Sequence, residues 1–149
     1  MSRSFNRTMK RGCCETVPFK RYEEEKGLQL GVDNLIYNEG YVRNVPVSIG
    51  GTSWKPDMPI ESKIKEEIED INTINNTMER AITFMLWCMR RQIFLDGNKR
   101  TAQLIANKEM IANGQGIISI PIKRQDKFKR LLVDFYENGE IEEIKNFVY

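Results

Sequence analysis

The stretch that decides the fold runs from residue 76 to residue 114, NTMERAITFMLWCMRRQIFLDGNKRTAQLIANKEMIANG. Its first half reads as a helix. Asn76 or Thr77 can cap it, Glu79 follows closely, and Met78, Ile82, Met85, Leu86, Met89 and Ile93 then recur at helical spacing. Phe84, Trp87 and Cys88 fill the other sides, so this helix is apolar nearly all round and is expected at the centre of the domain. A second helix starts near Asn98, carries Ala102, Leu104, Ile105, Met110 and Ile111, and stops at Asn113-Gly114, a good C-terminal cap signal. Two long helices joined by a tight turn form the nucleus of a helical bundle.

Outward from this pair the helical period continues. Upstream, Ile60, Ile64, Ile68 and Ile71 recur at four- and three-residue steps with acidic residues between them. Downstream, Phe128, Leu131, Leu132 and Phe135 mark a helix over 124–136, Asn138-Gly139 breaks it, and Ile141, Ile144, Phe147 and Val148 predict a short last helix. Residues 41–59, YVRNVPVSIGGTSWKPDMP, read differently. β-branched residues flank Gly50-Gly51, which predicts a hairpin, and Pro46 restricts its first arm to an edge or exposed strand. Such a hairpin has to lean on the helices, because two strands alone are marginal. Residues 1–32 mix basic residues, the run Glu23-Glu24-Glu25 and the breakers Gly12, Pro18, Gly27 and Gly31, and read as an extension of short helical pieces and loops.

Composition bounds the chemistry. A chain of 149 residues suits a single domain. No apolar run approaches the ~20 residues needed to span a bilayer, and no apolar segment follows the basic N-terminus, so neither a membrane span nor a signal peptide is expected. The three cysteines, Cys13, Cys14 and Cys88, form no CxxC pattern and fit reduced thiols in the cytoplasm. A net charge of +2 is too mild to indicate nucleic acid as a partner. The cluster Lys123, Arg124, Lys127, Lys129 and Arg130 reads as a solvated helix face. The chain has 0 histidines, which excludes an imidazole general base, a Ser-His-Asp triad and a His-ligated metal.

The turn between the two central helices concentrates the remaining chemistry. In Gln92-Ile93-Phe94-Leu95-Asp96-Gly97-Asn98-Lys99-Arg100-Thr101-Ala102, one helix ends and another begins at a Gly-Asn step. Free N–H groups and the dipole at that helix start favour an anion, and Gly97 leaves room for close approach. Lys99 and Arg100 add donors suited to phosphate oxygens, and Asp96 is placed to hold Mg²⁺ against the same phosphates. From spacing alone, a capped helix–turn–helix with solvent-facing Lys and Arg fits as well.

The segment FLDGNKRTA resembles the core motif of the Fic/Doc (Fido) family, HxFx(D/E)GN(G/K)R, and NEGYVRNVPVSIGGTSWKPDMP resembles that family's target-docking hairpin, the flap, at the expected distance upstream. The similarity covers roughly residues 33–147. It implies a mainly α fold, a Fic-like bundle of five to seven helices with a β-hairpin flap, over a Fic/Doc-like domain at 33–149. It implies transfer of part of a nucleotide, most often AMP from ATP, to a Ser, Thr or Tyr hydroxyl of a target protein. Asp96 would bind Mg²⁺, Gly97 and Asn98 would form the anion hole, and Lys99 and Arg100 would meet the nucleotide. Phe94 would be a buried anchor. The flap residues Val45, Val47, Ile49, Gly50, Gly51, Thr52 and Trp54 would hold the target as an added strand.

Two departures alter what the resemblance implies. Gln92 stands at the family's catalytic His position, and an amide has no useful basicity near neutral pH, so efficient AMP transfer is not expected. Lys99 resembles the Doc branch, whose toxin phosphorylates its target, and Gln103 stands where AMP-transferring members carry a further Arg. The family's self-inhibitory motif (S/T)xxxE(G/N) has no match, since Val133 stands where a hydroxyl is needed; restraint of any activity would come from a separate antitoxin-like partner, or there is no activity to restrain. The readings at this stage are an impaired adenylyltransferase relative, a Doc-like phosphotransferase toxin, and a catalytically inactive protein-binding module.

Overall fold

The computed structural model describes residues 42–149. The reading of 1–32, the first residues of the 33–149 domain and Cys13 and Cys14 lie outside the described residues. Five α-helices follow in order: α1 (Glu61–Asn72), α2 (Thr77–Arg91), α3 (Asn98–Ala112), α4 (Gln125–Asn138) and α5 (Glu142–Val148), with a 3₁₀ turn at Ile122–Arg124 before α4. The described part is therefore mainly α, and none of its helices is long and apolar enough to cross a membrane.

α1 and α2 form for local reasons that the sequence states. Asn76 caps α2, its Oδ1 accepting from the Glu79 N–H at 2.9 Å, as its side-chain chemistry favours. Ile64, Ile68 and Ile71 form one stripe of α1 and are buried, whereas Ile60 precedes the helix and is 50% exposed. α2 is central: it packs along α3 and also meets α1 and α5. Seven of its residues, Ala81, Ile82, Phe84, Met85, Leu86, Cys88 and Met89, are buried. Fully burying such side chains stabilises by about 1.5–3 kcal/mol each, so this helix supplies the largest share of the core.

On α3 the face differs from the one its large residues suggest. Leu104 and Ile111 are exposed, and the buried stripe is Asn98, Thr101, Ala102, Ala106 and Met110. The reason is steric. Small residues at 102 and 106 let α3 lie close against the crowded side of α2, and close contact outweighs the greater hydrophobicity of Leu104.

Residues 42–60 fold back on themselves without paired strands. The chain turns at Gly50-Gly51, with Gly51 at φ 89°, but no described residue lies in a strand. The two arms are joined by a side chain in place of a ladder. Arg43 is only 2% exposed, and its guanidinium donates to the carbonyls of Val45 (2.8 Å), Pro56 (3.4 Å) and Asp57, and to the Met58 sulfur (3.3 Å). Pro46 has no N–H to give to a ladder, and the carbonyls of Val45, Pro56 and Asp57 are already taken by Arg43. Further out, Trp54 stacks on Tyr136 of α4 with ring centres 5.9 Å apart. Arg90 of α2 covers the same indole at 4.7 Å. Thr52 Oγ1 donates to Glu137 at 2.8 Å and accepts from the Trp54 N–H at 3.1 Å. The segment is a tethered loop laid across the bundle.

Candidate functional site

α2 ends at Gln92, whose backbone is left-handed (φ 48°, ψ 59°). Among the described residues it is the one non-glycine with positive φ. Such a conformation costs a residue with a Cβ roughly 1–2 kcal/mol, so the surroundings must hold it. Three groups do so. The Gln92 N–H donates to Cys88 O at 3.3 Å, its carbonyl accepts from Arg43 Nε–H at 2.6 Å, and its side-chain amide donates to Met89 O. The Arg43 backbone N–H also reaches Ile93 O at 3.0 Å. Arg43 thus joins the end of α2 to both arms of the 42–60 loop, and all five of its guanidinium N–H donors have acceptors. Burial, with Arg91 nearby, lowers its pKa from the ordinary arginine value against the opposing pull of Asp57.

The turn is closed from the α3 side by Asn98. Its Oδ1 accepts from the Phe94 N–H at 2.9 Å. Its Nδ2 donates to Phe94 O at 2.7 Å and to Gln92 Oε1 at 3.2 Å. Asn98 is 5% exposed and Phe94 is fully buried, so these bonds satisfy groups that water does not reach. Gly97, at φ 80°, provides the left-handed step into α3 that a side chain would disfavour. The first backbone hydrogen bond of α3 runs from Thr101 N–H to Gly97 O at 2.9 Å. The N–H groups of Asn98, Lys99 and Arg100 therefore come before the helical ladder.

A groove of about 290 Å³ opens at this point. Its walls are Gln92, Leu95, Asp96, Gly97, Asn98, Lys99 and Arg100 from the turn, and Ser48, Ile49 and Gly50 from the tip of the 42–60 loop. Asp96, Lys99 and Arg100 are exposed, and Arg100 pairs with Asp96 at 3.5 Å across one turn. The structure thus brings Gln92, Asp96, Gly97, Asn98, Lys99 and Arg100 together with Ile49 and Gly50. It does not bring the other flap residues to the groove wall. Val45 is 44% exposed on the loop's first arm, and Val47 and Gly51 lie outside the wall. Thr52 and Trp54 are fastened to α4.

The donor set fits a phosphate group better than a bare cation. Two cations and a helix start face the groove, and among the described residues no group of three or more His, Cys, Asp or Glu side chains could hold a metal. Asp96 is the carboxylate on the wall. One carboxylate suits Mg²⁺ that takes its other ligands from phosphate oxygens and water.

Two features were not readable beforehand. Asn98 spends its side chain on Phe94 and Gln92, which leaves its backbone N–H as its contribution to an anion site. Arg43 gave only a faint signal, a lone charge between Val42 and the β-branched run. Compared with models of known protein families and with curated proteins, the chain matches none.

Proposed function

We propose that the chain is a Fic/Doc-like nucleotide-binding protein that seats the phosphates of ATP, with Mg²⁺, at the start of α3. One observation carries this reading: the loop tip, Ser48 to Gly50, and the phosphate-suited turn, Asp96 to Arg100, were identified separately in the sequence and line one groove. The N–H groups of Asn98, Lys99 and Arg100 and the side chains of Lys99 and Arg100 would hold the phosphates. Asp96 would hold Mg²⁺, which supplies charge neutralisation to the phosphates when bound. The loop tip would position a segment of a target protein bearing a Ser, Thr or Tyr hydroxyl.

Transfer is weak or absent in this reading. Gln92 stands where the family's proton acceptor stands, and both ends of its amide are engaged, Nε2 with Met89 O and Oε1 with Asn98. An engaged amide cannot take a proton from an attacking hydroxyl, and loss of a general base costs about 10²–10⁴ in rate. This engagement favours, as a second reading, a module that binds nucleotide and a protein segment without chemistry. A Doc-like phosphotransferase is the third.

Labelled ATP separates the three. The native chain and a Gln92→His variant are incubated with Mg²⁺, cell lysate and ATP labelled at the α or the γ phosphate. Label from the α position identifies AMP transfer, and label from γ alone identifies phosphorylation. ATP binding with no label from either chain supports the silent module. Absence of both binding and label rejects the nucleotide reading.

A further inference from the structure

Arg43 takes no part in the groove wall, yet it holds the residue at which α2 ends and both arms of the loop whose tip lines the groove. Its Nε–H donates to the carbonyl of Gln92, the left-handed residue from which the turn departs. Its backbone N–H holds Ile93, the next residue. Its remaining N–H groups hold Val45 on one arm of the loop and Pro56 and Asp57 on the other. The loop has no ladder to fix its tip, so its base is set by this guanidinium.

We propose that Arg43 is a positioning residue for the nucleotide cradle. It stabilises the left-handed turn at Gln92, and so the register in which Asn98 presents the start of α3, while the same side chain sets the base of the loop whose tip lies beside that start. The proposal rests on the nucleotide reading of the groove and adds a residue that the motif does not contain. Lysine cannot replace Arg43, because three donors on one nitrogen cannot reach acceptors spread around a planar fork.

A merely structural Arg43 would weaken folding and binding alike, whatever stands at 92. A positioning Arg43 is coupled to the strain at 92. Glycine at 92 adopts the left-handed conformation without assistance, so it reduces the need for Arg43. The test is a double-mutant cycle of Arg43→Lys and Gln92→Gly, read by ATP·Mg²⁺ titration and by amide hydrogen exchange. Arg43→Lys is expected to weaken ATP·Mg²⁺ binding about tenfold in the native background and less than about threefold in the Gln92→Gly background. Exchange of the buried Phe94 amide, held by Asn98, should accelerate about tenfold in the first background and much less in the second, with Met85 and Leu86 of α2 unaffected. Equal losses in both backgrounds would overturn the proposal.

The two failures are distinguishable. If the native chain binds no ATP·Mg²⁺, the nucleotide reading falls, and Phe94 exchange alone decides whether Arg43 holds the turn. If Arg43→Lys does not fold, the native chain answers through the Arg43 Nε–H resonance. It should shift on addition of ATP·Mg²⁺ although Arg43 does not line the groove, and no shift at saturation would overturn the proposal.

Discussion

Asn98 and Phe94 exchange a pair of hydrogen bonds, Phe94 N–H to Asn98 Oδ1 at 2.9 Å and Asn98 Nδ2 to Phe94 O at 2.7 Å. One side chain thereby satisfies both backbone groups of a fully buried residue, and it fixes the spacing between the end of α2 and the start of α3. Asn98→Ala leaves a buried N–H and C=O without partners, at a cost of about 1–3 kcal/mol for each group. The expected outcome is a fall in stability of about 2–4 kcal/mol in urea unfolding. Asn98→Asp should also destabilise: it keeps an acceptor for the Phe94 N–H but sets a buried carboxylate against Phe94 O and Gln92 Oε1, to which it cannot donate. A loss under about 0.5 kcal/mol for either variant would show that the pair does not hold the turn.

The exposed ion pair between Arg100 and Asp96 gives a prediction with a sign. In this account Asp96 competes with phosphate for Arg100 when Mg²⁺ is absent and recruits Mg²⁺ when it is present. Asp96→Asn should bind ATP two- to threefold more tightly in chelator, a modest change because exposed pairs contribute at most about 1 kcal/mol. With Mg²⁺ the same variant should bind more weakly than the native chain. Titrations with and without Mg²⁺ check this, and parallel changes in both would remove Asp96 from the metal's surroundings.

Trp54 and Thr52 act at the loop's attachment. Trp54 is held between Tyr136 and Arg90, so Trp54→Ala should lower stability by about 1–3 kcal/mol and increase proteolysis within 42–58. Thr52→Val removes an exposed bond to Glu137 and the acceptor of the Trp54 N–H, and should cost less than Trp54→Ala, about 0.5–1 kcal/mol. Limited proteolysis and thermal melting compare the two, and equal sensitivity would contradict the anchoring role of the indole.

Stability should fall at alkaline pH. Burial pushes the Cys88 thiol up to about 12. The Tyr136 hydroxyl is raised too, first by burial and then by Cys88. Both groups keep their protons in the folded state and lose them on unfolding near their ordinary values. Their contribution is therefore fully present below about pH 8.5, the ordinary thiol value, and is lost as pH rises towards the folded values, by at most about 1.4 kcal/mol per pH unit per group. Urea midpoints between pH 7 and 11 should decline from about pH 9, and the decline should be shallower in Cys88→Ala. A profile that Cys88→Ala leaves unchanged would contradict the assignment.

The helices were legible because their signals are local. Asn76 caps α2, and the spacings of Ile64, Ile68 and Ile71 and of Leu131, Leu132 and Phe135 place the buried faces of α1 and α4. Leu104 and Ile111 misdirect the reading of α3, because which face is buried depends on how closely α2 approaches, a property of the pair. The loop was legible as to its turn at Gly50-Gly51 and not as to its pairing, because a buried arginine 49 residues from Gln92 in sequence replaces the ladder. Within the site, the motif located the groove wall, while the use of the Asn98 side chain and the place of Arg43 emerged only from three-dimensional contacts.

The central claim is that the start of α3 seats a triphosphate, and calorimetric titration of the native chain with ATP·Mg²⁺ tests it most directly. The account predicts saturable one-to-one binding with Kd below about 1 mM, weakened tenfold or more by Lys99→Ala or Arg100→Ala, as loss of a charge-assisted hydrogen bond of about 1.5–3 kcal/mol requires. No binding at millimolar ATP·Mg²⁺, or binding indifferent to both substitutions, would contradict it.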